Sequence, residues 1–127
     1  MFKEAPEDIY LSFKDICKEN GFKFEEHSVV TVDGYILRIF RIPGLSGEST
    51  KHEGKKMKNP ILFQHGLVDS ADAFIMNTVD KAPAFVAATA GFDVWLGNLR
   101  GNKYNLEHVL LDAIKDEKEF FDYSFVE

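Results

Sequence analysis

The sequence predicts a mixed α/β domain in which an antiparallel hairpin feeds a parallel βαβ unit. Three observations carry this expectation. An Asp33-Gly34 pair separates two β-rich runs. The short apolar run Ile61–Phe63 breaks at once into turn residues, and a second apolar run, Phe92–Leu96, follows a helix-patterned segment that ends at Gly91. At 127 residues the chain, 1–127, is expected to be one domain or a piece of one, with no room for a second core. Its composition, 45% hydrophobic and 28% charged, is that of a globular chain rather than a disordered one.

Taken in order, residues 6–20 read as a helix. Ile9, Phe13, Ile16 and Cys17 recur at helical spacing, Pro6 suits a first turn, Glu7 and Asp8 suit its positive end, and Gly21 supplies a stop. Cys17 on that helix is expected to be a small core residue rather than a nucleophile. From His27 to Ile42 the pattern becomes that of a hairpin. Asp33-Gly34 predicts a two-residue type I′ turn, which needs positive φ at both central positions, and Pro43 ends the second strand. Residues 44–59 form a polar loop with three Gly and four Lys. Lys55, Lys56 and Lys58 are expected to be a solvated face rather than a contact for an anionic surface, and His52 has no partner nearby in sequence.

Pro60 opens a strand over Ile61–Gln64, expected to be buried on both faces. Residues 80–90 read as a helix with Pro83 in its first turn and Phe85, Val86 and three alanines turned inward. The strand Phe92–Leu96 completes a unit whose crossover should be right-handed, with parallel strands. Residues 106–120 are expected to be helical, and the aromatic tail Phe120–Phe125 has no evident packing site.

Charge and cysteine content exclude several classes. Fifteen Lys+Arg against twenty-one Asp+Glu give a formal charge of −6, which argues against a nucleic-acid partner held through its phosphates. A lone Cys17 excludes an internal disulfide framework and a multi-cysteine metal site. No apolar run reaches the ~18–20 residues that cross a bilayer. The acidic start MFKEAPEDIY lacks an apolar stretch of signal-peptide length, so the expectation is a cytosolic protein or a fragment without its leader.

Chemistry is expected beyond the carboxyl ends of the two parallel strands. The first loop is Gln64-His65-Gly66-Leu67-Val68-Asp69-Ser70. Gly66 permits a sharp turn that leaves following amides free to face a cleft, where such amides stabilise the oxyanion of an acyl-transfer intermediate. An ordinary turn with a satisfied histidine is the plainer alternative. The second loop is Gly97-Asn98-Leu99-Arg100-Gly101-Asn102. Asn98, Arg100 and Asn102 offer hydrogen bonds to fix its shape, with Arg100 expected to satisfy loop carbonyls.

The stretches TVDGYILRIFRIP, PILFQHGLVDSADAF, AGFDVWLGNLRGN and FFDYSF, in this order, resemble the N-terminal region of the acid lipases. These are the α/β-hydrolase enzymes that include gastric and lysosomal acid lipases, which cleave triacylglycerols and cholesteryl esters. The resemblance runs from about Gly21 to the C-terminus. It implies a partial α/β-hydrolase fold with the hairpin as the first two strands, and it implies that the Leu67 N–H is the oxyanion-hole donor. His65 and Gly66 would shape that loop, and Gly97, Asn98, Arg100, Gly101 and Asn102 would shape the loop beside the active site. No cofactor or metal is implied, the substrate would be a lipid ester, and the compartment would be secreted or lysosomal. Val68 stands where the family often has a second leucine, and Leu99 where serine is common.

The resemblance also implies a nucleophilic serine in a G-x-S-x-G elbow after the fifth strand, with the acid and histidine later. None of the six serines, at 12, 28, 46, 49, 70 and 124, lies in such a motif. A rewired triad of Ser70 with His65 and Asp69 or Asp72 is not expected, because nothing in the sequence sets its geometry, and His108 is expected to be a surface residue rather than a base. The expectation is therefore the N-terminal segment of an ester hydrolase that is inactive alone, with a non-enzymatic lipid-binding or scaffolding remnant as the alternative. In this fold the third strand pairs with the fifth, so Ile61–Phe63 is expected to present an open edge able to pair with another chain.

Overall fold

The structure, a computed structural model, describes residues 11–48 and 57–124. The expected first turn at Pro6–Ile9, His52, and Lys55 and Lys56 of the polar loop lie outside the described residues.

Within them, the first helix is shorter than its periodicity suggests. Helix α1 spans Phe13–Glu19, and Ser12 is its N-cap rather than an interior residue. The Ser12 hydroxyl accepts from the Asp15 amide at 3.2 Å while the Asp15 carboxylate accepts from the Ser12 amide at 3.3 Å. This reciprocal pair satisfies two of the donors a helix start leaves open, and it fixes the boundary. Phe13 and Cys17 face inward, and burial pushes the Cys17 thiol up to about 12, which keeps it un-ionised.

Strands β1, Glu25–Val30, and β2, Tyr35–Ile42, form the hairpin in antiparallel register from Glu25 opposite Arg41 to Val30 opposite Ile36. The turn is not type I′. Among the described residues, Val68 alone of the non-glycines has positive φ, so Asp33 does not take the conformation that turn requires. Instead the Gly34 amide donates to Thr31 O at 3.0 Å, which puts Val32 and Asp33 at the turn's centre and Gly34, at φ +96°, just after it. One positive-φ residue following a tight turn is the bulged hairpin connection, and the Thr31 hydroxyl reinforces it by accepting from the Tyr35 amide at 2.9 Å.

Strand β3 is Pro60–Gln64, α2 is Pro83–Thr89 with Pro83 opening it, and β4 is Asp93–Gly97. Beta3 and β4 pair in parallel, β4 pairs antiparallel with β2, and the sheet order is β1-β2-β4-β3. The mixed sheet anticipated from the sequence is thus present. Two burial expectations need correction. Beta3 has only β4 as a neighbour among the described strands, so its residues alternate: Ile61 and Phe63 pack on the core while Leu62 is 66% exposed. On α2, Ala84, Phe85 and Ala88 are buried but Val86 points outward, because helical spacing places it off the inward face.

The core lies on one side of the sheet. Phe40, Ile42, Val94 and Leu96 from β2 and β4 meet Phe13, Cys17, Phe85 and the buried alanines of the helices. Phe22 stacks on Phe85 with centroids 4.6 Å apart, and Phe13 packs on Phe40 at 4.7 Å.

The segment 106–120 is not one helix. It holds a short strand β5, Glu107–His108, paired with β2, then turns, and a helix α3 of only Glu117–Phe120. Polar side chains take the backbone donors that a helix would use. His108 Nδ1 accepts from the Leu110 and Leu111 amides, and the Asp112 carboxylate accepts from the Ile114 and Lys115 amides. The aromatic tail does have a packing site. Phe120 is fully buried, and the Tyr35 hydroxyl donates to its carbonyl at 2.5 Å.

Candidate active-site loops

The parallel register places Gln64, the last residue of β3, opposite Gly97, the last of β4. The two loops that leave these strands therefore run side by side. A Cβ at Gly97 would meet the end of the Gln64 side chain, which would have to move aside.

His65 joins the loops. Its Nδ1 bonds the Gly66 carbonyl at 2.8 Å, and its Nε2 accepts from the Leu99 amide at 3.0 Å and lies 3.3 Å from Asn102 Nδ2. These partners require a neutral ring with its proton on Nδ1. This is a buried histidine, 7% exposed, with both ring nitrogens bonded, the geometry of the plainer alternative. Neither nitrogen is left to abstract a proton.

Asn98, 4% exposed, ties the same loops together: Oδ1 accepts from the Ala71 amide and from Asn102 Nδ2, each at 3.0 Å, and Nδ2 donates to Arg38 O at 3.2 Å. Asn105 is a member of this network that the sequence reading did not single out. Its Oδ1 accepts from the Arg38 amide at 2.7 Å and its Nδ2 donates to Asn98 O at 2.6 Å. Its spacing of three from Asn102 and seven from Asn98 was the available signal.

Between the pinned ends, His65 and Ala71, the chain bulges outward. Leu67 and Val68 are exposed, and Val68 has φ +58°, an unfavourable conformation for a β-branched residue. Such strain persists only where flanking contacts over-determine the backbone, as the His65 and Asn98 bonds do here. Among the described residues nothing accepts a hydrogen bond from the Leu67 amide. The bulge forms one side of an open cleft of about 500 Å³, lined also by Leu99, Phe121 and Tyr123.

Arg100, expected to help fix the shape of its loop, reaches across to the hairpin turn and the aromatic tail. Its side chain ion-pairs with Asp33 in the hairpin turn and lies over the rings of Tyr35 and Tyr123, at 4.9 and 5.2 Å from their centroids. Gly101, at φ +78°, faces the Tyr123 hydroxyl so closely that a Cβ would collide with it.

The candidate residues of a rewired triad do not converge. The Ser70 hydroxyl accepts from the Asp72 amide and caps the short 3-10 turn Ala71–Phe74, while Asp69 Oδ1 accepts from the Ser70 amide. The Asp72 carboxylate accepts from the Tyr104 hydroxyl at 2.5 Å and pairs with Lys103. Burial first, then the bond to Asp72, pushes the Tyr104 phenol well above its ordinary range. His108 is half-buried, edge-on to Tyr35 at 4.8 Å, with Nε2 donating to Asp33 O at 2.8 Å. Among the described residues no three of His, Cys, Asp and Glu cluster as metal ligands.

Comparison with known proteins agrees with this layout. A family model described as a partial alpha/beta-hydrolase lipase region matches residues 13–78. Lipase member M of Mus musculus is 39% identical over 126 residues, covering 98% of this chain and 28% of its own length. Lipase member J of Homo sapiens is 39% identical over 117 residues, 92% of this chain and 31% of its own. Gastric triacylglycerol lipase of Bos taurus is 43% identical over 108 residues, 84% of this chain and 26% of its own. The chain thus spans under a third of the length of these relatives, and with a mixed sheet, two adjoining loops at its strand ends and a family match over half its residues, it belongs to the acid lipases of the α/β-hydrolase fold.

Proposed function

We propose that this chain supplies the oxyanion-binding part of a carboxylic ester hydrolase acting on triacylglycerols or cholesteryl esters, and that alone it does not turn over. The carrying observation is the Leu67 amide, which belongs to an exposed residue lining the cleft and has no acceptor among the described residues. In ester cleavage a serine oxygen adds to the carbonyl carbon, and the carbonyl oxygen takes up the displaced electron pair. The Leu67 N–H would donate to that oxygen, and the alcohol would leave with a proton when the carbonyl re-forms. One such donor is worth about 10²–10³ in rate, but only once a nucleophile has attacked. The serine, acid and histidine of the reaction are assigned to sequence outside these 127 residues. His65, Gly66, Gly97, Asn98, Arg100, Gly101 and Asn102 shape the two loops.

A fluorophosphonate label together with a short nitrophenyl ester tests this reading. The 127-residue chain should neither label nor hydrolyse, and the protein extended by its downstream coding sequence, if that carries an in-frame G-x-S-x-G, should do both. Labelling of the short chain would overturn the assignment.

A second reading is supported by the edge of β3, where Leu62 is exposed and the outer backbone groups have no strand beside them among the described residues. Such an edge pairs readily with another chain. A non-enzymatic remnant would use it to hold a partner; an authentic stop codon after Glu127 and oligomers on size-exclusion would favour that reading, and a monomer would count against it.

A further inference from the structure

We propose that Arg100 is a positioning residue that holds residues 120–124 as one wall of the cleft that Leu67 also lines. Phe121 and Tyr123 form that wall, yet residues 121–124 belong to no helix or strand. The Phe121 and Asp122 amides bond back to Glu117 O and Glu119 O of α3, at 3.1 and 3.4 Å, so it is the placement of Tyr123 that side-chain contacts must set. Arg100 grips Tyr123 twice: its guanidinium lies over the ring at 5.2 Å, and its own carbonyl accepts from the Tyr123 hydroxyl at 2.9 Å.

The grip is itself anchored. The guanidinium also covers Tyr35 at 4.9 Å and pairs with Asp33, both in the hairpin, and the Tyr35 and Tyr123 rings meet edge-on at 5.5 Å. Arg100 is thus the joint between the β4 loop, the hairpin and the wall. A planar cation serves this purpose because it can stack on aromatic faces while its edge donates to a carboxylate; an ammonium cannot do both. At Gly101 only a hydrogen fits beneath the Tyr123 hydroxyl, so the loop's shape and the wall's position are set together. That the cleft takes an acyl chain rests on the function proposed above; that Arg100 places its wall does not.

Hydrogen exchange on the 127-residue chain separates the two. Arg100→Met keeps length and apolar bulk but loses the charge and the planar face. It should raise exchange at the amides of residues 119–124 about tenfold while leaving β2 and β4 amides within about twofold. Arg100→Lys, which retains the pair to Asp33, should raise it about threefold, and it carries the test alone if the methionine variant does not fold. Unchanged exchange at 119–124, or a rise spread evenly through the sheet, would overturn the proposal. Titration with cis-parinaric acid gives the second arm, with binding expected for the wild type and weakened several-fold in Arg100→Met. Wild-type chain that binds no probe yet shows the localised exchange supports the joint and counts against the acyl-binding reading.

Discussion

The Nε2 atom of His65 accepts the amide proton of Leu99 at 3.0 Å, and this bond helps to join the loop after β3 to the loop after β4. It is formed by a neutral imidazole whose other nitrogen is committed to Gly66 O. His65→Ala would leave the Leu99 amide without its partner in a site where His65 is only 7% exposed. The expected cost is about 2 kcal/mol, seen as a fall of roughly 6–10 °C in melting temperature for a chain of this size. A variant that melts with the wild type would show that water replaces the bond without penalty.

Val68 offers the opposite outcome. Its side chain is almost wholly exposed, so replacement loses no packing, while its φ of +58° penalises a β-branched residue. Val68→Asn, which tolerates the left-handed region, should stabilise the chain by about 1 kcal/mol in urea unfolding, and Val68→Gly by less because glycine loosens the unfolded chain. A loss of stability in both variants would mean that the valine side chain makes a contact worth more than the strain.

At Gly101 two penalties are stacked. Gly101→Ala meets an unfavourable φ of +78° and a collision with the Tyr123 hydroxyl. The single variant should lose about 2–3 kcal/mol. Adding Tyr123→Phe removes the colliding oxygen, so the double variant should lose less than the two single losses combined. Strict additivity, measured by chemical denaturation, would show that the ring moves aside freely.

Acid should weaken the sheet through Asp93. Partial burial opposes ionisation, but Arg41, at 2.8 and 3.1 Å, and Trp95 Nε1, at 3.0 Å, hold its carboxyl below the ordinary 3.8. A depressed value means that ionised Asp93 stabilises the fold above pH 3.8, and that this contribution disappears as pH falls through the lower folded value. Asp93→Asn should therefore cost about 1–3 kcal/mol at pH 7 and converge with wild type in strongly acidic buffer. A constant gap across the titration would assign the loss to shape rather than charge.

Local sequence carried the elements whose physics is local. The change from helical spacing to β-rich runs, Asp33-Gly34, Pro83 and Gly91 located the hairpin, the second helix and the parallel strands, because turn and cap preferences act within a few residues. Two loops at the carboxyl ends of β3 and β4 followed from those elements and from the motif resemblance. Boundaries set by side-chain competition were harder to see: the Ser12–Asp15 capping box shortened α1, and His108, Asp112 and Asp116 replaced an expected helix with turns.

What the sequence determined by itself was the family, the mixed sheet and the pair of loops, since each is written in residues close together in the chain. What only the tertiary structure decided was which distant groups meet: Arg100 with Asp33, Tyr35 and Tyr123, Asn105 with Arg38, and Tyr35 with Phe120. These partners are 23 to 85 positions apart. Their chemistry is ordinary, a cation seeking aromatic faces and buried amides seeking carbonyls, so no local pattern marks one choice over another. Packing selects the pairs, because once the sheet brings the loop ends together each buried donor must take an acceptor within reach.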